Sequence, residues 1–159
     1  MTVREKSKPR IQFPHPIATG DYDYDYENEI IHNDARREYR MGFPVPEHRV
    51  GWALNVFPAR EKSRYIFIGL DGAPAAFAKE AIAWIPQLEF GSRHTHLVKV
   101  RNGEVAAFFD GKQIVRWKGD LRRFKRPSFA VRDPRFPDFF VHEGGIVIHQ
   151  AKIIEFVPQ

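Results

Sequence analysis

Apolar and polar residues alternate with period two along much of this chain, the pattern of strands with one buried and one solvated face. In Asp21–Ile31 (DYDYDYENEII), Tyr22, Tyr24, Tyr26 and Ile30 share one face, while Asp23, Asp25, Glu27 and Glu29 share the other. In Thr95–Gly119 (THLVKVRNGEVAAFFDGKQIVRWKG), two apolar runs flank Asn102-Gly103 and a third follows Asp110-Gly111. Asn-Gly and Asp-Gly supply the positive φ angles of two-residue hairpin turns, so this stretch predicts three consecutive antiparallel strands. Val98, Val100, Val105, Ala107 and Phe109 are the predicted core face. The opposite face, with Leu97, Lys99, Arg101 and Phe108, is more apolar than a solvated surface requires, so a cover is expected there.

Further strands are predicted at Arg10–Phe13, Glu38–Val45, Val50–Phe57, Arg64–Leu70, Gly145–His149 and Lys152–Phe156, punctuated by proline and Asp-Gly or Gly-Gly steps. Val50–Phe57 is almost wholly apolar and is expected in the middle of a sheet. Only residues 73–91 have helical character, with Phe77, Ala81 and Trp84 at helical spacing; a helix, a loop with one helical turn, and a strand from Ala81 to Ile85 all fit. One turn of helix is expected at Asp120–Phe124. Residues 1–9 form a basic lead expected to be flexible, followed by a single domain over 10–159. Short strands with turns every eight to twelve residues predict an all-β antiparallel sandwich of jelly-roll type.

Composition agrees with a packed domain: 159 residues, 43% hydrophobic, with fourteen Phe and three Trp for an interior. The chain has no Cys, which excludes disulfides, thiolate metal sites and cysteine nucleophiles. The N-terminus carries no apolar signal segment and no apolar run is long enough to span a membrane, so a cytoplasmic location is expected. Net charge is +5, but unevenly spread: residues 21–38 sum to −5 and residues 116–135 to +6. Solvated surfaces of opposite sign explain both blocks most simply.

The segments RIQFPHPIATGDYDYDYENEI, GWALNVFP, RYIFIGLDG, HTHLVKVRNGEVAAFFDGKQIVRWKGD and VRDPRFPDFFVHEGGIVIHQAKI, in this order, resemble concanavalin A-like/laminin-G-like jelly rolls, in particular a group found in planctomycete-type bacterial proteins. The likeness spans residues 10–156. It implies a relation to 3-keto-disaccharide hydrolases and, more remotely, to laminarinase-type glycosidases. The hydrolases' Asn-Ser-Gly and Glu-x-Gln-x-x-Asp strands are not kept: GWALNVF and YIFIGLD stand there instead. The resemblance therefore implies a non-catalytic binding or interaction module whose ligand is carbohydrate or a partner protein. An accessory subunit of a larger assembly is a further reading.

Four constellations carry candidate chemistry. The ladder Asp23, Asp25, Glu27, Glu29 spaces carboxyls so that a catalytic pair is feasible, making a glycoside-active hydrolase the alternative function; without a laminarinase-type motif it reads first as a charged strand face. His94 and His96 have a metal-ligand spacing, but they alternate with Val98 and Val100 and lack a third ligand in sequence, so no metal is expected. The basic block 116–135 holds Trp117, Phe124, Phe129 and Phe136, yet no nucleic-acid-binding signature accompanies it. Sugar binding needs a stacking ring and hydrogen-bonding groups, for which Trp84, Lys99, Arg101, Arg116 and Trp117 are the candidate ligand-binding residues. No catalytic residue and no cofactor is assigned.

Overall fold

The computed structural model describes residues 2–4, 10–12, 23–45, 48–57, 62–68, 70–71, 82–86, 88–101, 103–125 and 135–156. Among the described residues ten strands run in chain order: β1 (Thr2–Arg4), β2 (Arg10–Gln12), β3 (Asp23–Val45), β4 (His48–Phe57), β5 (Lys62–Ile68), β6 (Ile82–Pro86), β7 (Arg93–Arg101), β8 (Glu104–Phe109), β9 (Lys112–Lys118) and β10 (Asp138–Phe156). All pairings are antiparallel.

β3 and β10 are shared by two sheets. The first half of β3 pairs with β7 from Tyr24–Val100 to Ile31–Arg93, and its second half pairs with β4 from Glu38–Asn55 to Val45–His48. β10 follows β3 along its whole length, from Asp138 opposite Gly42 to Phe156 opposite Asp23. One sheet thus runs β2-β10-β3-β4-β5-β6, and the other β10-β3-β7-β8-β9, with β1 on β10 at Gly145–Val147. The likeness of architecture is to a jelly-roll sandwich, as the alternation predicts.

Two expectations need correction. Asp21–Ile31 and Glu38–Val45 are not separate strands; from Asp23 they form one, and Gly145–His149 and Lys152–Phe156 likewise belong to one strand. The register of β10 on β3 shifts at His142/Gly144, Gly145/Ile146 and Ile148/Gln150. Such bulges bend a strand and break its alternation, which in sequence looks like a strand ending. Within the lead, Thr2–Arg4 pairs with β10. Of residues 73–91, Ile82–Pro86 form strand β6, and the helical pattern at 73–81 lies outside the described residues. So do Asp21, Tyr22, Asn102 and the 126–134 part of the basic block.

The core fills the space between the sheets with large rings. Tyr26, Trp52, Tyr65, Phe43, Phe67, Phe124 and Phe139 are each fully buried. Tyr26 on β3 meets Phe139 on β10 with ring centroids 6.1 Å apart, and Tyr39 stacks on Phe139 at 5.7 Å. Val98, Val100, Val105 and Ala107 are buried as the alternation predicts. In β4, Trp52, Ala53 and Leu54 are all buried, so both faces of this strand are covered; its continuous apolar run reflects that central place.

The Asp110-Gly111 turn has φ of 47° and 77°, the type I′ geometry that suits strand twist. The 3-10 turn Leu121–Arg123 falls where one turn of helix is predicted, capped by Asp120 Oδ1, which accepts from Arg122 N at 3.0 Å. It carries the chain from β9 towards the segment after β5: Asp71 N donates to Arg123 O at 2.7 Å, and Phe124 bridges to Leu70. Phe124 then packs edge-on to Trp117 at 4.8 Å and to Phe67 at 6.3 Å. The turn therefore ties the two sheets together.

Phe139→Ala removes a ring that both sheets contact and should cost about 3–5 kcal/mol in urea unfolding. The hairpin glycines give a graded test. A Cβ at Gly111 meets nothing within 4 Å, whereas one at Gly103 (φ 73°) lies 3.2 Å from Gly119 O. Gly111→Ala should cost only the left-handed backbone penalty of about 1–2 kcal/mol, and Gly103→Ala measurably more. Equal losses would show that the contact with Gly119 relaxes freely.

Candidate functional site

The sandwich is closed on one side by the strands its sheets share and open on the other. There the last strands of the two sheets, β6 and β9, approach each other. A pocket of about 200 Å³ lies between them. β6 contributes Trp84, Ile85 and Pro86; the β8–β9 hairpin contributes Phe109, Lys112, Gln113 and Ile114. Trp84 is 49% exposed, although its neighbour Ile85 is buried. Alternation on an edge strand explains the pair: one side chain enters the core and the next points out. The Arg64 guanidinium lies 6.0 Å from the Trp84 ring centroid, within cation–π range.

The other wall is shaped by a bulge. Ala107 faces Val115 but Phe108 faces Gln113, leaving Ile114 as an extra residue in β9. The bulge turns Gln113 and half-buried Ile114 towards the pocket. Phe109 forms the floor between pocket and core: its ring stacks on His94 at 4.8 Å and meets His96 at 5.2 Å and Tyr65 at 5.7 Å. The lining thus offers an indole face, an amide that both donates and accepts, and an ammonium, with no carboxylate among the described residues.

Of the five sequence-predicted ligand residues, Trp84 alone lines this pocket. Lys99, Arg101 and Arg116 lie together on the outer face of the sheet that contains β7–β9, where register places Lys99 beside Ala106 and Ala106 beside Arg116. Trp117 needs correction as a ligand-stacking ring. It is 4% exposed and packs on Phe124, because it alternates with Arg116 and Lys118 and takes the core side. Lys112, Gln113 and Ile114 were not predicted. A bulge has no local sequence signature here, so only the pairing places them at the pocket.

The expected cover over the outer face of β7 and β8 consists of the face's own charged side chains and those of neighbouring strands. Arg101 donates from Nε and Nη2 to the two Asp25 oxygens at 3.0 and 2.6 Å, and its guanidinium lies 4.1 Å from the Phe156 ring centroid. Glu27 pairs with Lys152 at 3.0 Å and Glu29 with Arg93 at 2.9 Å. Lys99 sits 5.2 Å from the Phe108 ring centroid. Three members of the predicted carboxylate ladder are therefore tied to cations on flanking strands, and both Asp25 oxygens are occupied.

Three arginines of the basic block are similarly paired with carboxylates. Arg116 hydrogen-bonds Glu104 and holds its carboxyl below the usual range; Arg123 does the same to Asp71. Arg122 binds Asp120 at 2.9 Å. The two strand histidines are also engaged. His94 Nδ1 lies 2.9 Å from Asp110 Oδ2 and its Nε2 3.3 Å from Glu89 O, while buried His96 shares a 2.6 Å hydrogen bond with Tyr65. Among the described residues no group of three His, Asp or Glu side chains is placed to hold a metal ion.

No protein-family model matches the chain, and no curated protein matches its sequence. Solved structures do match its fold. A carbohydrate-binding module from Bacillus subtilis superposes with a TM-score of 0.56 at 12% identity, over 96% of this chain and 84% of that one. A galectin from Caenorhabditis elegans gives 0.54 at 8% identity, over 94% and 92%. A fructosyltransferase from A. japonicus gives 0.57 at 13% identity, over 99% of this chain and 25% of that one. The fold is a concanavalin A-like β-sandwich.

Proposed function

We propose that this chain is a carbohydrate-binding module whose ligand stacks on Trp84 in the pocket between β6 and β9. The observation that carries the reading is a half-exposed indole at the rim of a walled pocket. Leaving so much of a Trp in water forfeits apolar burial that a pyranose ring face restores on binding. Gln113 supplies the paired donor and acceptor that sugar hydroxyls require, and the pocket is of a size for about one sugar ring. Support for the ligand class comes from the solved structures of like fold named as a carbohydrate-binding module and as galectins.

Among the described residues the lining has no pair of carboxyls for glycoside hydrolysis, and the Asp25–Glu29 ladder is a salt-bridged outer face away from the pocket. Binding without turnover is the activity assigned. Lys99, Arg101 and Arg116 stand outside the site and stabilise the sheet that carries them.

Trp84→Ala should weaken binding to a polysaccharide scored on a glycan array by roughly tenfold or more, measured by titration calorimetry, with unfolding unchanged. Arg116→Ala, on β9 but outside the pocket lining, should bind like the parent. A folded parent protein with no hit across the array overturns the reading; loss in Arg116→Ala with retention in Trp84→Ala moves the site to the charged face.

A further inference from the structure

We infer that the ligand of this pocket is an acidic oligosaccharide, one bearing carboxylate or sulfate groups; this rests on the Trp84 pocket being the sugar site. The charge around Trp84 is one-sided. Lys112 lines the pocket on the β9 wall. On the β6 side Arg64 lies against the Trp84 ring, and register places Arg64 opposite Trp84 and Lys62 opposite Pro86. Strand alternation puts Lys62 and Arg64 on the same face of β5. Cations therefore flank the indole on both walls, while among the described residues no acidic side chain lines the pocket.

The nearest acidic residue along the hairpin does not offset this arrangement. Asp110 is two residues from Lys112, but its carboxylate is committed elsewhere: Oδ2 to His94 Nδ1 at 2.9 Å and Oδ1 to Thr95 N at 2.8 Å. No salt bridge to Lys112 forms among the described residues. The contrast with the far sheet is informative. There Arg93, Arg101, Arg116 and Lys152 each have a carboxylate partner within this chain. The lysine at the pocket is available to a ligand's anion, and the net charge of +5 adds long-range attraction to polyanions.

The geometry also suits such a sugar. A uronate ring presents its apolar face for stacking and its carboxylate at the ring edge, where side chains from the walls can reach it. Sulfate esters project from the ring edge in the same way. Lys112 acts as a mobile point charge and tolerates either group.

Titration calorimetry of the full chain with tetragalacturonate and its carboxyl-reduced form, and with a sulfated tetrasaccharide and its desulfated form, tests this. At low salt an acidic probe should bind roughly tenfold tighter than its neutral counterpart, and the gap should close as salt rises towards about 0.5 M. A gap in the uronate pair alone assigns carboxylate as the recognised group; a gap in the sulfated pair alone assigns sulfate. Lys112→Gln should shrink that gap several-fold without a change in melting temperature, and Lys112→Arg should keep it. Neutral sugars that bind as well as acidic ones, or a gap untouched by Lys112→Gln, overturn the inference while leaving sugar binding standing. If neither member of any pair binds, and the glycan array is also blank, the sugar-binding reading itself fails.

Discussion

The pairing of β3 with β10 is the constraint from which the rest of this structure follows. Both strands are long enough to serve two sheets, and their antiparallel register runs from Asp138 beside Gly42 to Phe156 beside Asp23. Once that ribbon forms, β4 and β7 can only add to β3 at its two ends, since its other edge is taken by β10. The bulges in β10 supply the bend that turns one ribbon into two facing layers. Sharing strands closes one side of the sandwich and leaves the other to β6 and β9.

The apolar space between the layers encloses one small polar cluster around His96. His96 lies among Trp52, Tyr39 and Tyr65 at centroid distances of 5.2, 6.0 and 5.9 Å. Burial raises the phenols of Tyr39 and Tyr65 well above their ordinary range, so both rings stay neutral at any physiological pH. The Tyr65–His96 hydrogen bond compensates part of the desolvation. Trp52 Nε1 and Ser63 Oγ remain buried with no hydrogen-bond partner among the described residues, a cost of about 1–3 kcal/mol each that the surrounding ring packing must outweigh. Phe109 connects this cluster to the pocket, so the floor of the site is held by the core itself.

The two outward-facing regions divide the charge differently. On the sheet of β7–β9, carboxylates and cations meet across neighbouring strands and neutralise one another, as cross-strand pairs do. Exposed pairs of this kind contribute little stability individually, but together they keep the long β3–β10 ribbon from presenting a bare acidic stripe. At the side of β6 and β9, Lys112 lines a pocket together with indole, amide and aliphatic groups instead. Among the described residues Asp25, Glu27 and Glu29 are engaged with cations, and no carboxylate lines the pocket.

Much of the architecture is determined by local sequence. The positive-φ demand at Asp110-Gly111, the alternation through Val98–Ala107 and the apolar run at Trp52–Leu54 each specify a strand, a turn or a central position from neighbouring residues alone, and the all-β class follows. The rest depends on residues far apart in the chain. Whether 23–45 is one strand or two depends on which partners it finds at each end. Trp117 and Trp84 are equally aromatic, and only the layer each faces makes one core and the other surface. The pocket itself arises where two sheet edges meet across a bulge at Ile114, and the pairing of Arg101 with Asp25 spans 76 residues. Period-two patterning records which face is buried, but not which strands become neighbours; that is set by long-range pairing and packing, and so is the site.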